Sequence, residues 1–236
     1  MCSSVTIYNN VKNIYIKFLK SQEVLSEPFR DKIGQLNNFY YPISKKIKKN
    51  FFKDKRTKII GLTGGQGSGK STISQILKIV LKEAYNLETV IFSIDDFYKT
   101  IKERKKMSKK ISSLFLTRGV PGTHDTQFLL NTLIKLKRKK FRTTYIPKFD
   151  KSIDDRSPKI KWQKITKKPD IVIFEGWCVG ATAQKNKDLN LPINKLEKQK
   201  DNKKIWRQKV NSELKKSYRK IFQFIDKYLL IILIHI

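Results

Sequence analysis

Residues 58–72, KIIGLTGGQGSGKST, decide the fold of this chain, because an apolar strand runs here through a glycine-rich turn into the start of a helix. The fixed positions of the pattern GxxxxGK[ST] are filled by Gly64, Gly69, Lys70 and Ser71. In such a loop the backbone N–H groups converge on phosphate oxygens, and glycine permits both the unusual backbone angles and the close approach. The stretch therefore predicts a phosphate-binding loop between a strand and a helix.

Two side chains of this loop carry charge and metal chemistry. Lys70 supplies a positive charge for the β- and γ-phosphates of ATP, and the hydroxyl group of Ser71 is placed to ligate Mg²⁺. The positive end of the following helix points at the same anion. The alternative is a flexible glycine turn that matches by chance, but the apolar residues on both sides favour the functional interpretation. The predicted nucleotide-binding residues are Gly64, Gly65, Gly67, Ser68, Gly69, Lys70, Ser71 and Thr72.

The composition indicates a globular protein with an unusually basic surface. The chain has 236 residues, of which 39% are hydrophobic, enough for one α/β domain and an appendage. Its formal net charge of +32 would attract nucleic acid, membranes or anionic metabolites. The positive charge is spread over most of the chain, however, and no recognition-helix or base-stacking motif accompanies it. We therefore favour lysine-rich solvated positions over a nucleic-acid partner.

The cysteine content and the hydropathy of the chain bear on the cellular compartment of the protein. Cys2 and Cys178 lie far apart and form neither a disulfide framework nor a zinc motif, which fits a reducing compartment. The N-terminal residues carry lysines where a secretory signal would be apolar. The longest apolar run, residues 228–236, is far shorter than the roughly 20 residues that a membrane-spanning helix needs. We expect a cytoplasmic monomer without membrane contact.

The N-terminal segment, residues 1–55, shows apolar residues at helical spacing. Pro28 and Pro42 are expected to divide its helices, and the basic run at residues 45–49 to form a linker. The predicted domains are a helical appendage, residues 1–55, and a core domain, residues 56–236.

Acidic residues follow two predicted strands. Asp95 and Asp96 come after the β-branched run at residues 89–94, and Glu175 ends a continuous apolar run. Because ligands collect at the carboxyl ends of parallel strands, these carboxylates are expected near the phosphates. A carboxylate there can accept a proton from an attacking hydroxyl or hold Mg²⁺, although an aspartate pair can also simply cap a turn. We predict Lys70, Asp95 and Glu175 as catalytic residues, with Ser71 and Glu175 at the metal.

Two loops contain further polar candidates. Residues 117–125, TRGVPGTHD, include Arg118, His124 and Asp125, and a short strand at residues 143–147 is followed by Lys148 and Asp150. A single histidine is often structural, and Asp150 could pair with neighbouring charges. The lysine run at residues 99–110 is expected to be solvated or mobile, and residues 183–204 to form a lid or a surface loop.

In this order, the motifs GLTGGQGSGKST, SIDDFY, RGVPGTHD, PKFDKS and FEGW resemble the D-glycerate 3-kinase family. More broadly, they resemble the P-loop small-molecule kinases that include uridine kinase, phosphoribulokinase and pantothenate kinase. The resemblance implies an α/β, three-layer P-loop NTPase fold with a mainly parallel sheet, and transfer of the γ-phosphate of MgATP to a hydroxyl of a small acid. D-glycerate is the expected acceptor and 3-phosphoglycerate the product.

The resemblance also implies roles for individual residues. Asp95 matches the aspartate that acts as base, and Glu175 matches the carboxylate near the metal. The expected acceptor-site residues are Arg118, His124, Asp125, Lys148 and Asp150. Lys70, Arg118, Lys148 and Mg²⁺ would offset repulsion between two anionic substrates, whereas a neutral uridine would leave the cations of the acceptor site without a ligand.

Members of that family continue past the strand that matches residues 228–236, so we expect a C-terminally truncated kinase domain. Three alternatives stay open at this point. They are a nucleotide-binding remnant without turnover, a uridine or pantothenate kinase-like enzyme, and a basic nucleic-acid-binding NTPase.

Overall fold

A computed structural model describes residues 4–24 and 28–232 of the chain. Cys2 and the end of the predicted C-terminal strand, residues 233–236, lie outside the described residues. Within the described ranges, no helix has both the length and the apolar character that crossing a membrane requires.

Helices and strands follow one another along the chain, and two pairs of consecutive helices are each joined by a π-helical turn. The helices are α1 (Ser4–Gln22), α2 (Lys32–Gln35), α3 (Tyr41–Phe52), α4 (Lys70–Tyr85), α5 (Ile101–Lys110), α6 (Thr126–Lys137), α7 (Lys195–Lys200), α8 (Ile205–Glu213) and α9 (Arg219–Phe222). The strands are β1 (Lys58–Gly64), β2 (Thr89–Ser93), β3 (Thr144–Ile146), β4 (Phe149–Asp150), β5 (Asp155–Arg156), β6 (Gln163–Ile165), β7 (Ile171–Gly176) and β8 (Lys227–Ile231). The π-helical turns, Leu36–Tyr40 and Leu214–Tyr218, join α2 to α3 and α8 to α9.

The central sheet is parallel and has the strand order β2-β7-β1-β8. Strands β1 and β7 are buried at nearly every position, as expected for strands covered on both faces. The register pairs Thr63 of β1 with Gly176 of β7, and Ser93 of β2 with Glu175. The phosphate loop and both acidic strand ends therefore meet at one edge of the sheet.

Helices cover both faces of this sheet. Ile59 and Val172 belong to a core cluster with the α6 face that contains Leu133. The neighbouring residues Ile60 and Ile173 point the other way and share a second cluster with α3 and α4. This arrangement confirms the predicted α/β, three-layer fold with a mainly parallel sheet.

The structure corrects two expectations for the N-terminal segment. Helix α1 packs its buried residues Val11 and Tyr15 in one cluster with residues of α4. Pro42 does not divide the helices, because it lies in the first turn of α3, where its missing N–H is tolerated. The basic run at residues 45–49 is not a linker either. It lies within α3, which packs Ile47 and Phe51 into the core under the sheet.

The lysine run at residues 99–110, expected to be solvated or mobile, is helical, and most of its lysine side chains are exposed. It forms helix α5, because Thr100 and Glu103 make a reciprocal capping box at its start. Arg104 on this helix is 0% exposed. Residues 183–204, expected to be a lid or a loop, contain the short helical turn Asn186–Leu189 and helix α7.

Candidate active site

A cleft of about 1390 Å³ opens at the carboxyl edge of the sheet. Its walls come from the phosphate loop, the ends of β2 and β7, and the segments around residues 114–120 and 148–154. The predicted site residues that line it are Gly65, Gly67, Lys70, Ser71, Asp95, Arg118, Lys148 and Glu175. Residues predicted for nucleotide, metal and acceptor binding thus line one cavity.

The phosphate loop has the backbone geometry that its glycines predict. Gly67 and Gly69 adopt φ angles of 77° and 76°, in the left-handed region that L side chains rarely enter. Lys70 begins α4, and its Nζ atom donates to the carbonyl oxygens of Gly64 at 3.0 Å and Gly65 at 2.6 Å. The ammonium group is therefore held against the loop, at the start of the helix, where an anion is favoured.

The other predicted loop residues do not line the cleft. They support the loop or belong to the first turn of α4, and they are Gly64, Ser68, Gly69 and Thr72.

Glu175 is a buried acid of the cleft. Its side chain accepts a hydrogen bond at Oε1 from the Ser71 hydroxyl, at 2.9 Å. Among the described residues, its Oε2 atom is buried and has no hydrogen-bond partner. Burial raises the pKa of Glu175, against the opposing effects of the Ser71 hydrogen bond and the charge of Lys70. A neighbouring cation would relieve this buried carboxylate.

Ser71 and Glu175 fit a Mg²⁺ ion shared with a nucleotide. Mg²⁺ in kinases binds one or two protein oxygens together with substrate phosphates and water, so it needs no cage of protein ligands. In the described part of the chain, no group of three or more His, Cys, Asp or Glu residues could hold a metal. The hydroxyl of Ser71 and the unpartnered Oε2 of Glu175 instead provide a two-residue site of the type that Mg²⁺ uses.

The two aspartates after β2 have different roles. Asp96 closes a capping box, in which its carboxylate accepts from the backbone N–H of Ser93 at 3.1 Å. Asp95 makes no such cap, although both aspartates line the cleft. The capping alternative therefore applies to Asp96 and not to Asp95.

Each aspartate also faces a lysine. Lys151 Nζ lies 3.1 Å from Asp95 Oδ2, and Lys148 Nζ lies 3.0 Å from Asp96 Oδ1. Both lysine side chains are largely exposed, so these pairs exchange readily with solvent or a ligand. Tyr98 also lines the cleft and interacts with Asp95. Burial, with the charge of Asp95 and a hydrogen bond to it, raises the pKa of Tyr98 far above its ordinary value.

Three predicted acceptor residues lie outside the cleft lining. His124 is 1% exposed, stacks on Tyr98 with 4.3 Å between ring centroids, and bonds through Nδ1 to the hydroxyl of Tyr218. Burial lowers the pKa of His124 to about 3, so the imidazole is neutral. Asp125 caps α6 by accepting from the backbone N–H of Phe128. The structure thus gives these two residues contacts that support the fold.

Asp150, the third of these residues, accepts hydrogen bonds from the backbone and the hydroxyl of Ser152. From the predicted acceptor set, Arg118 and Lys148 are the residues that reach the cleft.

The cleft also contains residues that we did not single out from the sequence. Lys151 and Tyr98 belong to the quoted motifs PKFDKS and SIDDFY, so a signal for them existed. Asp154, Leu196 and Trp206 reach the cleft through tertiary packing, which no local pattern indicates.

Comparisons with known proteins agree with this geometry. A model of the phosphoribulokinase and uridine kinase family matches residues 59–212. The uncharacterized kinase mug58 of Schizosaccharomyces pombe is 40% identical over 129 residues, which cover 52% of this chain and 46% of that protein. The chloroplastic D-glycerate 3-kinase of Arabidopsis thaliana is 30% identical over 130 residues, covering 52% of this chain and 28% of the relative. The chain thus spans about half or less of the length of these curated relatives.

Solved structures give the same fold. The D-glycerate 3-kinase of Cryptococcus neoformans superposes with a TM-score of 0.68 at 25% identity, covering 81% of this chain and 72% of that chain. Among the curated proteins, a putative uridine kinase of Schizosaccharomyces pombe and a pantothenate kinase of Streptococcus suis are each 33% identical over about half of this chain.

Proposed function

This chain belongs to the phosphoribulokinase and uridine kinase family, and we propose that it transfers the γ-phosphate of MgATP to a hydroxyl group of D-glycerate, giving 3-phosphoglycerate. One observation carries the proposal. The cations Arg118 and Lys148 line the same cleft as the phosphate loop and Asp95. A carboxylate-bearing acceptor fits this arrangement, because it provides an anion for the cations and a hydroxyl for the base.

At the nucleotide end, the chain binds and orients triphosphate. The backbone of the loop and the start of α4 attract the phosphates, and Lys70 places its charge at the group that is transferred. Ser71 and Glu175 would hold Mg²⁺, which would supply positive charge to offset that of the phosphates. Fixed positive groups stabilise the charge that develops during transfer, and this is the main contribution expected from the protein.

At the acceptor end, Asp95 takes the proton of the attacking hydroxyl. Its carboxylate lies in the cleft, and its partner Lys151 is a largely exposed side chain that can move to an incoming phosphate. Arg118 and Lys148 bind the acceptor carboxylate, which orients the hydroxyl toward the phosphate. Orienting two bound groups in this way replaces a bimolecular encounter with a nearly unimolecular step.

A pantothenate kinase-like activity is the second candidate, because pantothenate is also a carboxylate and a pantothenate kinase of Streptococcus suis is 33% identical over 122 residues. Likeness to a D-glycerate 3-kinase structure, with a TM-score of 0.68 at 25% identity, supports glycerate as the acceptor. A uridine acceptor is neutral, so it would offer Arg118 and Lys148 no anionic group to bind.

An acceptor panel tests the proposal. The purified chain would be incubated with MgATP and D-glycerate, pantothenate or uridine, and the release of ADP measured against the ATP-only rate. We expect acceptor-dependent ADP release with D-glycerate above that with the other two. Phosphorylation of pantothenate or uridine alone would replace the proposed acceptor, and tight, steeply salt-dependent RNA binding without acid phosphorylation would overturn the kinase assignment.

A further inference from the structure

Arg104, on helix α5, is fully buried, and the proposed mechanism has no use for it. The surrounding positions on α5 are mostly exposed lysines, so this residue is not part of the general basic surface. A buried guanidinium group is costly unless its N–H groups are paired. The contacts of the Arg104 side chain therefore indicate its role.

The guanidinium group of Arg104 ties together three segments around the cleft. Its Nε atom donates to the carbonyl of Lys99 at 3.2 Å, and its Nη1 atom donates to the carbonyl of Leu116 at 2.6 Å. Its Nη2 atom contacts Asp154 twice, at the carbonyl oxygen and at Oδ2, the latter at 2.9 Å. The residues just before α5, the segment before Arg118 and the loop between β4 and β5 are thus held by one side chain.

Asp154 connects this buried arginine to the cleft. Its Oδ2 atom pairs with Arg104, and its Oδ1 atom pairs with Nη1 of Arg118. Both guanidinium groups also lie over the ring of Phe149, at 5.9 Å for Arg104 and 5.5 Å for Arg118. Burial of Asp154 acts to raise its pKa, but hydrogen bonds from the two arginines outweigh this and lower the pKa. The carboxylate is therefore ionised at neutral pH.

We propose that Arg104 and Asp154 are positioning residues, which hold Arg118 in the orientation that binds the acceptor carboxylate. This inference rests on the proposed function. The guanidinium group of Arg118 has five N–H donors, and Asp154 engages one end of it. Within residues 4–24 and 28–232 the remaining donors have no hydrogen-bond partner, so they can form a paired hydrogen bond with a ligand carboxylate in the cleft. Asp154 thereby sets the direction from which the acceptor is bound.

The first test is the substitution Asp154→Asn. Asparagine keeps the shape of the side chain and tolerates the left-handed backbone of Asp154, whose φ is 54°, so the fold should survive. We expect the KM for D-glycerate to rise about tenfold, because a charge-assisted hydrogen bond is lost, while the KM for ATP changes less than about twofold. Asp54→Asn is the matched control. Asp54 also pairs with a basic residue and is 38% exposed, against 39% for Asp154, but it precedes β1 at the opposite edge of the sheet.

A double-mutant cycle then separates positioning from general stability. In an Arg118→Ala background, Asp154→Asn should cause no further increase in the acceptor KM, since the residue through which it acts is gone. Fold-changes that multiply in the double variant would contradict the inference. So would a KM for ATP that rises as much as the acceptor KM.

Arg104 itself is tested with the pair Arg104→Lys and Arg104→Met. Lysine keeps a positive charge beside Asp154, so its acceptor KM should lie between those of the wild type and the methionine variant. Equal acceptor KM values for wild type and both folded variants would exclude a positioning role. If Arg104→Met does not fold, the Asp154 cycle still decides the question.

Failure of the proposed function gives a different result. In that case the wild-type chain phosphorylates no small acid at all, and both proposals fall together. A wild-type chain that is active with D-glycerate, combined with an unchanged acceptor KM in Asp154→Asn, removes the positioning inference alone.

Discussion

The hydroxyl group of Ser71 lies 2.9 Å from Oε1 of Glu175, so the start of α4 and the end of β7 meet in one hydrogen bond. These residues are 104 positions apart in the sequence. They meet because β1, which leads into the phosphate loop, is the parallel neighbour of β7. The same contact leaves Oε2 of Glu175 buried without a partner among the described residues, and it marks the point where we place Mg²⁺.

Glu175→Gln should weaken the metal site while stabilising the free protein. Loss of the carboxylate is expected to raise the Mg²⁺ concentration for half-maximal activity about 10- to 100-fold. Without Mg²⁺ and ATP, the Tm at neutral pH should rise, because an uncompensated buried charge has been removed. A Mg²⁺ titration and a thermal melt check both effects, with Glu88→Gln, at a surface ion pair, as the control.

The pH dependence of stability follows from the same carboxyl group. Burial raises the pKa of Glu175 above its ordinary 4.5, so the folded chain binds this proton more tightly than the unfolded chain does. The contribution of Glu175 is therefore fully present below pH 4.5 and is lost as the pH rises through the raised pKa. Melts without Mg²⁺ should show this loss in the wild type but not in Glu175→Gln. Parallel stability profiles for the two proteins would exclude a perturbed Glu175.

Lys70→Ala should lower kcat by on the order of 10²- to 10³-fold, because a fixed positive charge beside the transferring phosphate is removed. Steady-state rates with saturating MgATP measure this effect. Lys78→Ala, on the same helix, changes the net charge equally and should leave the rate unaltered. Equal rates for the two variants would refute the assignment of the loop.

Asp95→Asn keeps the shape of the side chain but cannot accept a proton. We expect kcat to fall by about 10²-fold or more, with little change in ATP affinity. Asp188→Asn, at an exposed position, serves as the control. A collapse of nucleotide binding in Asp95→Asn would instead make Asp95 a metal or structural residue.

Tyr218→Phe should destabilise the fold. The hydroxyl of Tyr218 accepts the backbone N–H of Gly122 at 3.0 Å and bonds to Nδ1 of His124, and both groups are buried. Leaving them unpaired costs about 1–3 kcal/mol, which corresponds to roughly 2–4 °C in Tm per kcal/mol for a chain of this size. Tyr145→Phe, at an exposed ring, should melt within a degree or so of the wild type. An unchanged Tm for Tyr218→Phe would show that these bonds contribute nothing.

Local patterns in the sequence were enough to predict the parallel sheet and the position of the phosphate loop at its edge. The glycine loop, the apolar strand runs and the acidic strand ends are short-range signals, and parallel pairing places their ends together. The division of labour between Asp95 and Asp96 also had a local signal, since Ser93 lies three residues before Asp96 as in a capping box.

Such local patterns predicted the residues on the acceptor side of the cleft less well. His124 is buried by Tyr218, which lies 94 residues further along the chain. Arg104 stands in a lysine run and differs from its neighbours through long-range contacts such as those with Leu116 and Asp154. Such partners are set by tertiary packing, so a run of basic residues gave no reason to separate one buried arginine from the solvated lysines.

The central claim is tested most directly by quantifying 3-phosphoglycerate after incubation of the chain with MgATP and D-glycerate. The account predicts one 3-phosphoglycerate for each acceptor-dependent ADP, and a loss of product in Lys70→Ala that matches its loss of ADP release. ATP turnover without 3-phosphoglycerate, or no turnover by the folded wild-type chain, would contradict it.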